Sequence, residues 1–249
     1  MNFGLLGKSL SHSFSKSYFE DKFKREDLVN FTYSNFDVEN LDTLHQIIAD
    51  NNIKGLNVTI PYKEKVISLL NDIDPVAKEI GAVNCIKISK ENDQLFLKGF
   101  NTDYYGFGQS IKPFLEPIHQ KALILGTGGA SKAIYYALKN VGVDVYFVTT
   151  GEKKASNYFH YSELNEYILN AFKLIVNCTP LGMYPKTEAF PDIPYQHITN
   201  QHLLYDLIYN PETTLFLQKG KEKGAVIING LNMLKLQADK AWEIWNSAH

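Results

Sequence analysis

The fold is decided by the stretch Lys121-Ala-Leu-Ile-Leu-Gly-Thr-Gly-Gly-Ala-Ser-Lys132. Its apolar run, 122–125, is followed by glycine and predicts a buried parallel strand. Residues 126–131 would form a turn, and apolar residues at helical spacing over 130–138 predict a helix. A strand, a glycine turn and a helix in this order let backbone N–H groups approach a pyrophosphate. On this motif alone, a tight turn without a ligand is an equally good interpretation.

The composition is that of an ordinary globular protein. Hydrophobic residues make up 45% of the sequence and charged residues 21%, a composition that argues against disorder. A length of 249 residues is enough for one large domain or two modest ones. The 25 basic and 27 acidic residues give a net charge of −2, so charge does not favour nucleic acid or an anionic membrane as a partner. The sequence has no apolar run of about 18 residues, so we expect no membrane span.

The N-terminus, the cysteines and the histidines also restrict the class of protein. Residues 1–7 have neither a basic region nor a long apolar core, so we expect no signal peptide and a cytoplasmic location. Cys85 and Cys178 each follow an asparagine in a strand-like run, which favours two buried thiols over a disulfide. The seven histidines show no zinc-motif spacing, so we expect no metal site.

Before the glycine turn, alternating patterns predict a first α/β unit. We expect strands at 2–6, 31–36 and 55–60 and helices at 16–23 and 41–49. A further helix should begin at Pro61, because proline is tolerated in a first helical turn. Two strands, 81–88 and 94–100, would close this sheet as a hairpin-like pair.

From the glycine turn onward, the pattern predicts a second α/β unit. Its further strands are expected at 143–148, 173–179, 202–208 and 225–230, with a final helix at 231–245. The sequence therefore predicts two α/β domains, 1–102 and 103–230, flanking a cleft, the second of them a Rossmann-like dinucleotide-binding domain. The cleft is the default ligand site.

Several polar residues stand at the ends of predicted elements, and each has two interpretations. Ser13 and Ser15 precede a helix, so spacing alone favours N-caps over ligand-binding hydroxyls. Lys63 would face the positive end of a helix dipole, a setting that suits proton transfer, or else be a solvated surface lysine. Asn84 either satisfies the backbone or faces a ligand. Asp103 is either an N-cap or a carboxylate partner of Lys63.

The end of the second strand in a dinucleotide-binding fold meets the adenosine ribose. Here that end is Thr149-Thr-Gly-Glu-Lys-Lys154, without an acidic residue at the strand end itself. An acidic residue there would bond the ribose 2′-hydroxyl and repel a 2′-phosphate. The two hydroxyls and two lysines therefore favour NADP over NAD, although Lys153 and Lys154 are also typical of a solvated turn.

Eight motifs along the chain carry a resemblance to a known family. They are Ser-His-Ser-Phe-Ser15, Asn-Val-Thr-Ile-Pro-Tyr-Lys63, Gly-Ala-Val-Asn84, Asn-Thr-Asp103, Gly-Thr-Gly-Gly-Ala-Ser131, Asn-Cys-Thr-Pro-Leu-Gly-Met183, Asp-Leu-Ile-Tyr-Asn-Pro211 and Asn-Gly-Leu-Asn-Met-Leu-Lys-Leu-Gln-Ala238. In this order and spacing, the chain resembles the shikimate dehydrogenases along nearly its whole length.

The resemblance implies an enzyme of aromatic amino-acid biosynthesis, with reversible NADP-linked reduction of 3-dehydroshikimate to shikimate. It implies that 1–102 binds the substrate and is completed by a C-terminal helix, 231–249. Lys63 would be the proton donor and acceptor, with Asp103 beside it. The other substrate-binding residues would be Ser13 and Ser15 at the carboxylate, Thr59, Asn84, Asp103 and Gln237 at the ring hydroxyls, and Tyr209. This role for the serines replaces the N-cap interpretation.

The resemblance also implies where NADP binds. The pyrophosphate would lie at Gly126, Thr127, Gly128, Gly129, Ala130 and Ser131, and the nicotinamide near Tyr209, Gly230 and Met233. Further contacts would come from Thr149, Thr150, Lys153, Thr179 and Leu207. The chain departs from the family twice: Lys16 stands where proline is usual, and Thr149-Thr150 where Asn-Arg or Ser-Arg is usual. The second departure leaves NAD possible.

Other functions remain open from sequence. One alternative is a quinate/shikimate dehydrogenase, or a paralogue with another hydroxy-acid substrate and NAD use. A methylenetetrahydrofolate dehydrogenase-like enzyme would share the architecture but not the paired serines. A catalytically silent nucleotide-binding protein is the alternative of another class, although retention of both Lys63 and Asp103 argues against it. The expected partner is the small-molecule substrate, with a homodimer possible.

Overall fold

The computed structural model describes residues 1–10, 13–91, 94–153 and 155–247. Backbone contacts divide the chain into two units, one formed by Met1–Thr102 with Gln237–His249 and the other by Asp103–Leu236. Each unit has its own sheet and its own helices. The predicted α/β class with two sheets is therefore confirmed.

The first unit is built on a mixed sheet. Within the described residues its strands are β1 (Asn2–Gly7), β2 (Thr32–Asp37), β3 (Ile53–Val58), β4 (Asp72–Ile73), β5 (Cys85–Glu91) and β6 (Gln94–Phe100). Their order is β2-β1-β3-β5-β6-β4, in which β5 runs antiparallel to both β3 and β6. The predicted hairpin of β5 and β6 is confirmed, but the short strand β4, which the sequence pattern missed, forms the edge beyond it.

Helices α1 (Phe14–Arg25), α2 (Leu44–Asp50) and α3 (Pro75–Ile80) belong to the same unit. The periodicity did not predict α3, which is only six residues long but has strong end signals. The Asp74 side chain accepts hydrogen bonds from the N–H groups of Val76 and Ala77, proline occupies the first turn, and Gly81 ends the helix at φ +71°.

The α-helix predicted from Pro61 is wrong. Residues 61–64 form turns, and a short 3₁₀ helix begins only at Lys65 (Lys65–Leu69). The carbonyl of Lys63 accepts a 2.7 Å hydrogen bond from the N–H of Val83, while the N–H of Ile67, which would bond to it in an α-helix, bonds to the carbonyl of Glu64. Lys63 therefore does not lie in the first turn of an α-helix, and the predicted setting of this lysine at a helix dipole is wrong.

The second unit is built on a wholly parallel sheet. Its strands are β7 (Lys121–Leu125), β8 (Asp144–Thr149), β9 (Tyr158–His160), β10 (Leu174–Asn177), β11 (Leu203–Asp206) and β12 (Val226–Ile228). Their order, β12-β11-β10-β7-β8-β9, is that of the doubly wound dinucleotide-binding fold. The order of the strands reverses between β7 and β10, which is where such folds bind their ligands. The edge strand β9 was not predicted.

The helices of this unit are α4 (Asp103–Ile111), α5 (Gly129–Asn140), α6 (Glu166–Ala171) and α7 (Leu215–Glu222). The last helix, α8 (Leu231–Asn246), divides between the units at Gln237. Met233 packs in a core cluster of the second unit, whereas Ala238, Ala241 and Trp245 pack in a core cluster of the first. One helix therefore supplies apolar side chains to two separate cores.

Candidate active site

Three buried polar side chains of the first unit form a hydrogen-bonded cluster. Asn84, just before β5, donates from Nδ2 to Thr102 Oγ1 at 3.0 Å and to Gln237 Oε1 at 3.1 Å. The Thr102 hydroxyl donates to Gln237 Oε1 at 3.2 Å, and its backbone N–H lies 2.6 Å from Asn84 Oδ1. The three residues are exposed by only 2%, 0% and 8%. Because buried polar groups need partners, this cluster fixes the orientation of both amides. Sequence analysis predicted Asn84 and Gln237 but missed Thr102.

A second chain of hydrogen bonds leads from α1 to the same asparagine. The Tyr33 hydroxyl donates to Asn57 Oδ1 at 2.8 Å, and Asn57 Nδ2 lies 3.5 Å from the carbonyl oxygen of Asn84. Burial raises the pKa of Tyr33 well above its usual value, against a smaller opposing effect of a hydrogen bond with Ser15. Tyr33 therefore stays a protonated donor, and Ser15 is tied to this chain. Sequence analysis missed Asn57, although a polar residue within the apolar strand β3 was an available signal.

The two predicted serines have different positions at the start of α1. Ser13 occupies the N-cap position with extended backbone, but its side chain makes no capping hydrogen bond. Ser15 lies within the first turn of the helix and is buried. The N-cap interpretation thus holds for the backbone of Ser13 only. Ser11 and His12, the start of this motif, lie outside the described residues.

Lys63 and Thr59 follow β3 and are held in place through the backbone. The N–H of Thr59 donates to the carbonyl of Leu6 on β1 at 2.9 Å, and the carbonyl of Lys63 accepts from Val83, the residue before Asn84. Both side chains are half-buried. The contacts of Thr59 and Lys63 with substrate stay predictions.

Asp103 begins α4 and belongs to the second unit. The position preceding the helix is Thr102, so the alternative interpretation of Asp103 as an N-cap is wrong. The Asp103 residue is only 6% exposed. Its carboxylate in a first helical turn is favoured by the helix dipole.

The glycine turn of the second unit is open at Gly128 and leads into a helix. Gly126 adopts φ +97°, and a Cβ at this position would lie 3.0 Å from Thr179 Cγ2. A Cβ at Gly128 would meet no atom within 4 Å, so the turn is open there. The turn leads into the N-terminus of α5, a twelve-residue helix. These features fit the pyrophosphate of a dinucleotide.

Ser131 takes the place of the third glycine of the fingerprint and is 1% exposed. Its hydroxyl donates to the carbonyl of Gly128 at 2.6 Å, so it closes the turn from inside. Thr127 is exposed, and Gly129 and Ala130 are half-buried, in the same segment.

At the end of β8 the predicted polar residues have partners of their own. Thr149 is buried, and its hydroxyl accepts from the N–H of Gly151 at 3.0 Å, while Thr150 is exposed. Lys153 Nζ lies 2.6 Å from both carboxylate oxygens of Glu163, a residue that sequence analysis missed. Lys154 lies outside the described residues.

A buried network, also missed from sequence, joins the ends of β10 and β11. Asp206 Oδ1 accepts from Asn177 Nδ2 at 3.1 Å and from the N–H of Ile208 at 3.0 Å, and Oδ2 accepts from the Thr214 hydroxyl at 2.6 Å. Asn177 Oδ1 accepts in turn from the hydroxyl of Thr179 at 2.6 Å. Burial raises the pKa of Asp206 to about 6, although its three hydrogen bonds act in the opposite direction. A polar residue at the end of an apolar strand was the available signal.

This network supports other predicted cofactor residues. The N–H of Leu207 donates to the carbonyl of Asn177 at 3.1 Å, and the N–H of Gly230 donates to the carbonyl of Ile208 at 3.0 Å. Tyr209 is half-buried, and Met233 is 7% exposed. The neighbouring strands β10, β11 and β12 therefore end close to Thr179, Leu207 and Gly230, respectively. Met233 is mostly a core residue.

Other kinds of site find no support in the described part of the chain. Among these residues no group of three or more histidine, cysteine, aspartate or glutamate side chains is placed to hold a metal ion. None of their helices has the length and apolar character needed to cross a membrane. Both cysteines are free thiols, Cys85 buried and Cys178 only half-buried.

A doubly wound parallel sheet with an open glycine turn, in a chain that also carries a separate α/β unit, is typical of dinucleotide-dependent α/β dehydrogenases. Residues 5–86 match the shikimate dehydrogenase substrate binding domain. Over 97% of its length the chain is 38% identical to the shikimate dehydrogenase (NADP(+)) of Clostridium botulinum strain Hall, covering 95% of that protein. The chain belongs to the shikimate dehydrogenase family.

Solved structures agree with this assignment. The shikimate dehydrogenase of Aquifex aeolicus superposes with a TM-score of 0.87 at 33% identity, over 99% of this chain and 92% of that one. The shikimate 5-dehydrogenase of Thermus thermophilus, solved with NADP(H) and shikimate, gives 0.85 at 29% identity, over 99% and 93%. The Rossmann-like character of the second unit is thereby confirmed.

Proposed function

We propose that this protein is an oxidoreductase that interconverts shikimate and 3-dehydroshikimate with NADP, in the pathway to the aromatic amino acids. The observation that carries the proposal is the Asn84–Thr102–Gln237 cluster, in the unit whose residues 5–86 match the family's substrate binding domain. Two amides in fixed orientations can recognise ring hydroxyls, and a substrate that lacked one would leave them unpaired.

We assign the remaining substrate roles as follows. Lys63 donates and accepts the proton at the C3 oxygen, and Asp103 is the carboxylate that assists it. Ser13 and Ser15 bind the carboxylate, while Thr59, Asn84, Asp103 and Gln237 bind ring hydroxyls, with Tyr209 as a further contact. The ties of Ser15 to Tyr33 and of Lys63 to Val83 support this assignment, because they hold both residues in defined positions.

NADP is the cofactor of the curated relatives, and the glycine turn fits its pyrophosphate. The bound cofactor supplies the hydride chemistry, while the protein binds, orients and supplies one proton. We propose Gly126 to Ser131 as the pyrophosphate-binding turn and Thr179, Leu207, Gly230 and Met233 as further contacts. Thr149, Thr150 and Lys153 would face the adenosine end. We also propose a cytoplasmic location, with which the two free thiols agree.

A second candidate is supported by the end of β8. The position at which the family usually has arginine is Thr150, and Lys153 is paired with Glu163. Without an arginine at this position, the 2′-phosphate should add less to the affinity for NADP relative to NAD. A quinate/shikimate dehydrogenase that also uses NAD is therefore the alternative.

The deciding experiment is a set of initial rates with shikimate or quinate, each with NADP and with NAD. We expect reduction of NADP with shikimate and much slower reduction in the other three combinations. Comparable rates with quinate or with NAD would favour the alternative. No turnover of either acid would contradict both proposals and favour a silent nucleotide-binding protein.

A further inference from the structure

The edge strand β9 brings a carboxylate to the adenosine end of the second unit. Thr149, the last residue of β8, pairs with His160, the last residue of β9. Glu163 follows three residues later, and its Oε2 accepts from the N–H of His160 at 2.5 Å. The carboxylate is therefore held next to the strand end that meets the ribose in this fold.

Glu163 also pairs with Lys153, the one lysine of the 149–154 loop that lies within the described residues. Lys153 Nζ lies 2.6 Å from each carboxylate oxygen. The pKa of the Glu163 carboxyl lies below its usual value, chiefly because of the hydrogen bond from His160 and then that from Lys153. The carboxylate is therefore ionised at neutral pH and offsets the charge of the lysine.

This arrangement bears on the choice between NADP and NAD. The two cofactors differ only in the 2′-phosphate, which is an anion and is repelled by a carboxylate and attracted by a lysine. In NAD-binding domains an acidic residue near this strand end bonds the ribose 2′-hydroxyl. The sequence around Thr149 has no acidic residue at the strand end, but the fold supplies Glu163 from the 3₁₀ turn that follows β9.

We propose that Glu163 is a specificity-determining residue that reduces the preference for NADP over NAD, by neutralising Lys153 and by repelling the 2′-phosphate. The inference rests on the proposed dinucleotide site at the end of β8. It deepens that proposal, because it identifies the residue pair that reads the cofactor where the family's arginine is absent.

The test uses two nucleotide fragments that differ only in the 2′-phosphate, adenosine 2′,5′-bisphosphate and AMP. Their dissociation constants are measured by calorimetry for the wild type and for Glu163→Gln. The glutamine keeps a side-chain oxygen that can accept the hydrogen bond from the N–H of His160, so the loop should keep its conformation. We expect the bisphosphate to bind about 3- to 10-fold more tightly, with AMP changed less than about twofold.

Two further variants complete the design. Glu243→Gln removes the carboxylate of another exposed lysine pair, with Lys240, and changes the net charge equally. It should leave both dissociation constants unchanged. Lys153→Ala should weaken the bisphosphate more than AMP. Unchanged or weaker bisphosphate binding by Glu163→Gln would overturn the inference, as would an equal gain in Glu243→Gln.

Binding of these fragments needs no turnover, so the two proposals fail separately. If the protein does not oxidise shikimate but Glu163→Gln binds the bisphosphate more tightly, the inference about Glu163 stands and the proposed activity is wrong. If the protein oxidises shikimate but Glu163→Gln does not bind the bisphosphate more tightly, only the inference about Glu163 is wrong.

Discussion

Asn84 and Gln237 are 153 residues apart in the chain, yet their side-chain amides meet in a 3.1 Å hydrogen bond in the interior of the first unit. Thr102 bonds to both of them. The bond connects the beginning of β5 to α8, which reaches this unit only after the chain has formed the whole second unit. The proposed substrate site therefore depends on a contact between two segments that lie far apart in the chain.

Removal of the Gln237 amide should weaken both folding and substrate binding. Gln237→Ala leaves Thr102 and Asn84 each with one partner fewer in a buried setting, which costs about 1–3 kcal/mol. We expect the free energy of unfolding in urea to fall by about that amount and the KM for shikimate to rise about tenfold. Gln218→Ala, on the exposed face of α7, is the matched control. An unchanged KM would remove Gln237 from the substrate site.

Substitution of Lys63 should affect turnover far more than binding. General acid–base groups contribute about 10²- to 10⁴-fold, so Lys63→Ala should lower kcat by at least about 100-fold, with a much smaller change in the KM for shikimate. Lys65→Ala removes an exposed lysine two residues away and should retain the wild-type rate. Turnover close to wild type in Lys63→Ala would exclude the proton-transfer role.

An arginine at the exposed position 150 should restore the family's usual recognition of the 2′-phosphate. Thr150→Arg places a planar guanidinium at the end of β8, and we expect the KM for NADP to fall about tenfold while that for NAD changes little. Thr150→Lys, with the same charge but no fork of donors, should give a smaller gain. If the KM for NADP is unchanged or higher in Thr150→Arg, the phosphate is recognised elsewhere.

Asp206 should make stability depend on pH. Its pKa of about 6 in the folded protein exceeds the unfolded value of about 3.9, so the folded state binds the proton more tightly. The stabilisation from this group is fully present below about pH 4 and is lost as the pH rises through 6. Asp206→Asn removes this titration but keeps acceptors for Asn177 and Ile208.

The measurement is urea unfolding of the wild type and Asp206→Asn between pH 4 and pH 7. The wild-type stability minus that of the variant should decrease by about 2–3 kcal/mol over this range. Asp144→Asn, an exposed position at the start of β8, controls for the loss of one surface carboxylate. A difference that stays constant or grows with pH would show that Asp206 is already ionised in the folded protein.

Local patterns were informative wherever a single element decides the structure. The apolar run before Gly126 and the glycine turn itself predicted β7 and the start of α5, and both are present. The helix predicted from Pro61 was wrong, and the carbonyl of Lys63 instead bonds to the N–H of Val83, twenty residues later in the chain. The short helix α3 was missed for another reason: its evidence lies in its caps and not in its periodicity.

The sequence alone determined the α/β class, the two sheets, the glycine turn and, through motif order, the family. These features follow from periodicity, backbone freedom and residue type, which are local properties of the chain. Only the tertiary structure decided the partners: Thr102 beside Asn84 and Gln237, Asp206 beside Asn177, and Glu163 beside Lys153. Such pairings depend on which strands become neighbours, and a buried polar group finds its partner by proximity in space whatever the distance along the chain.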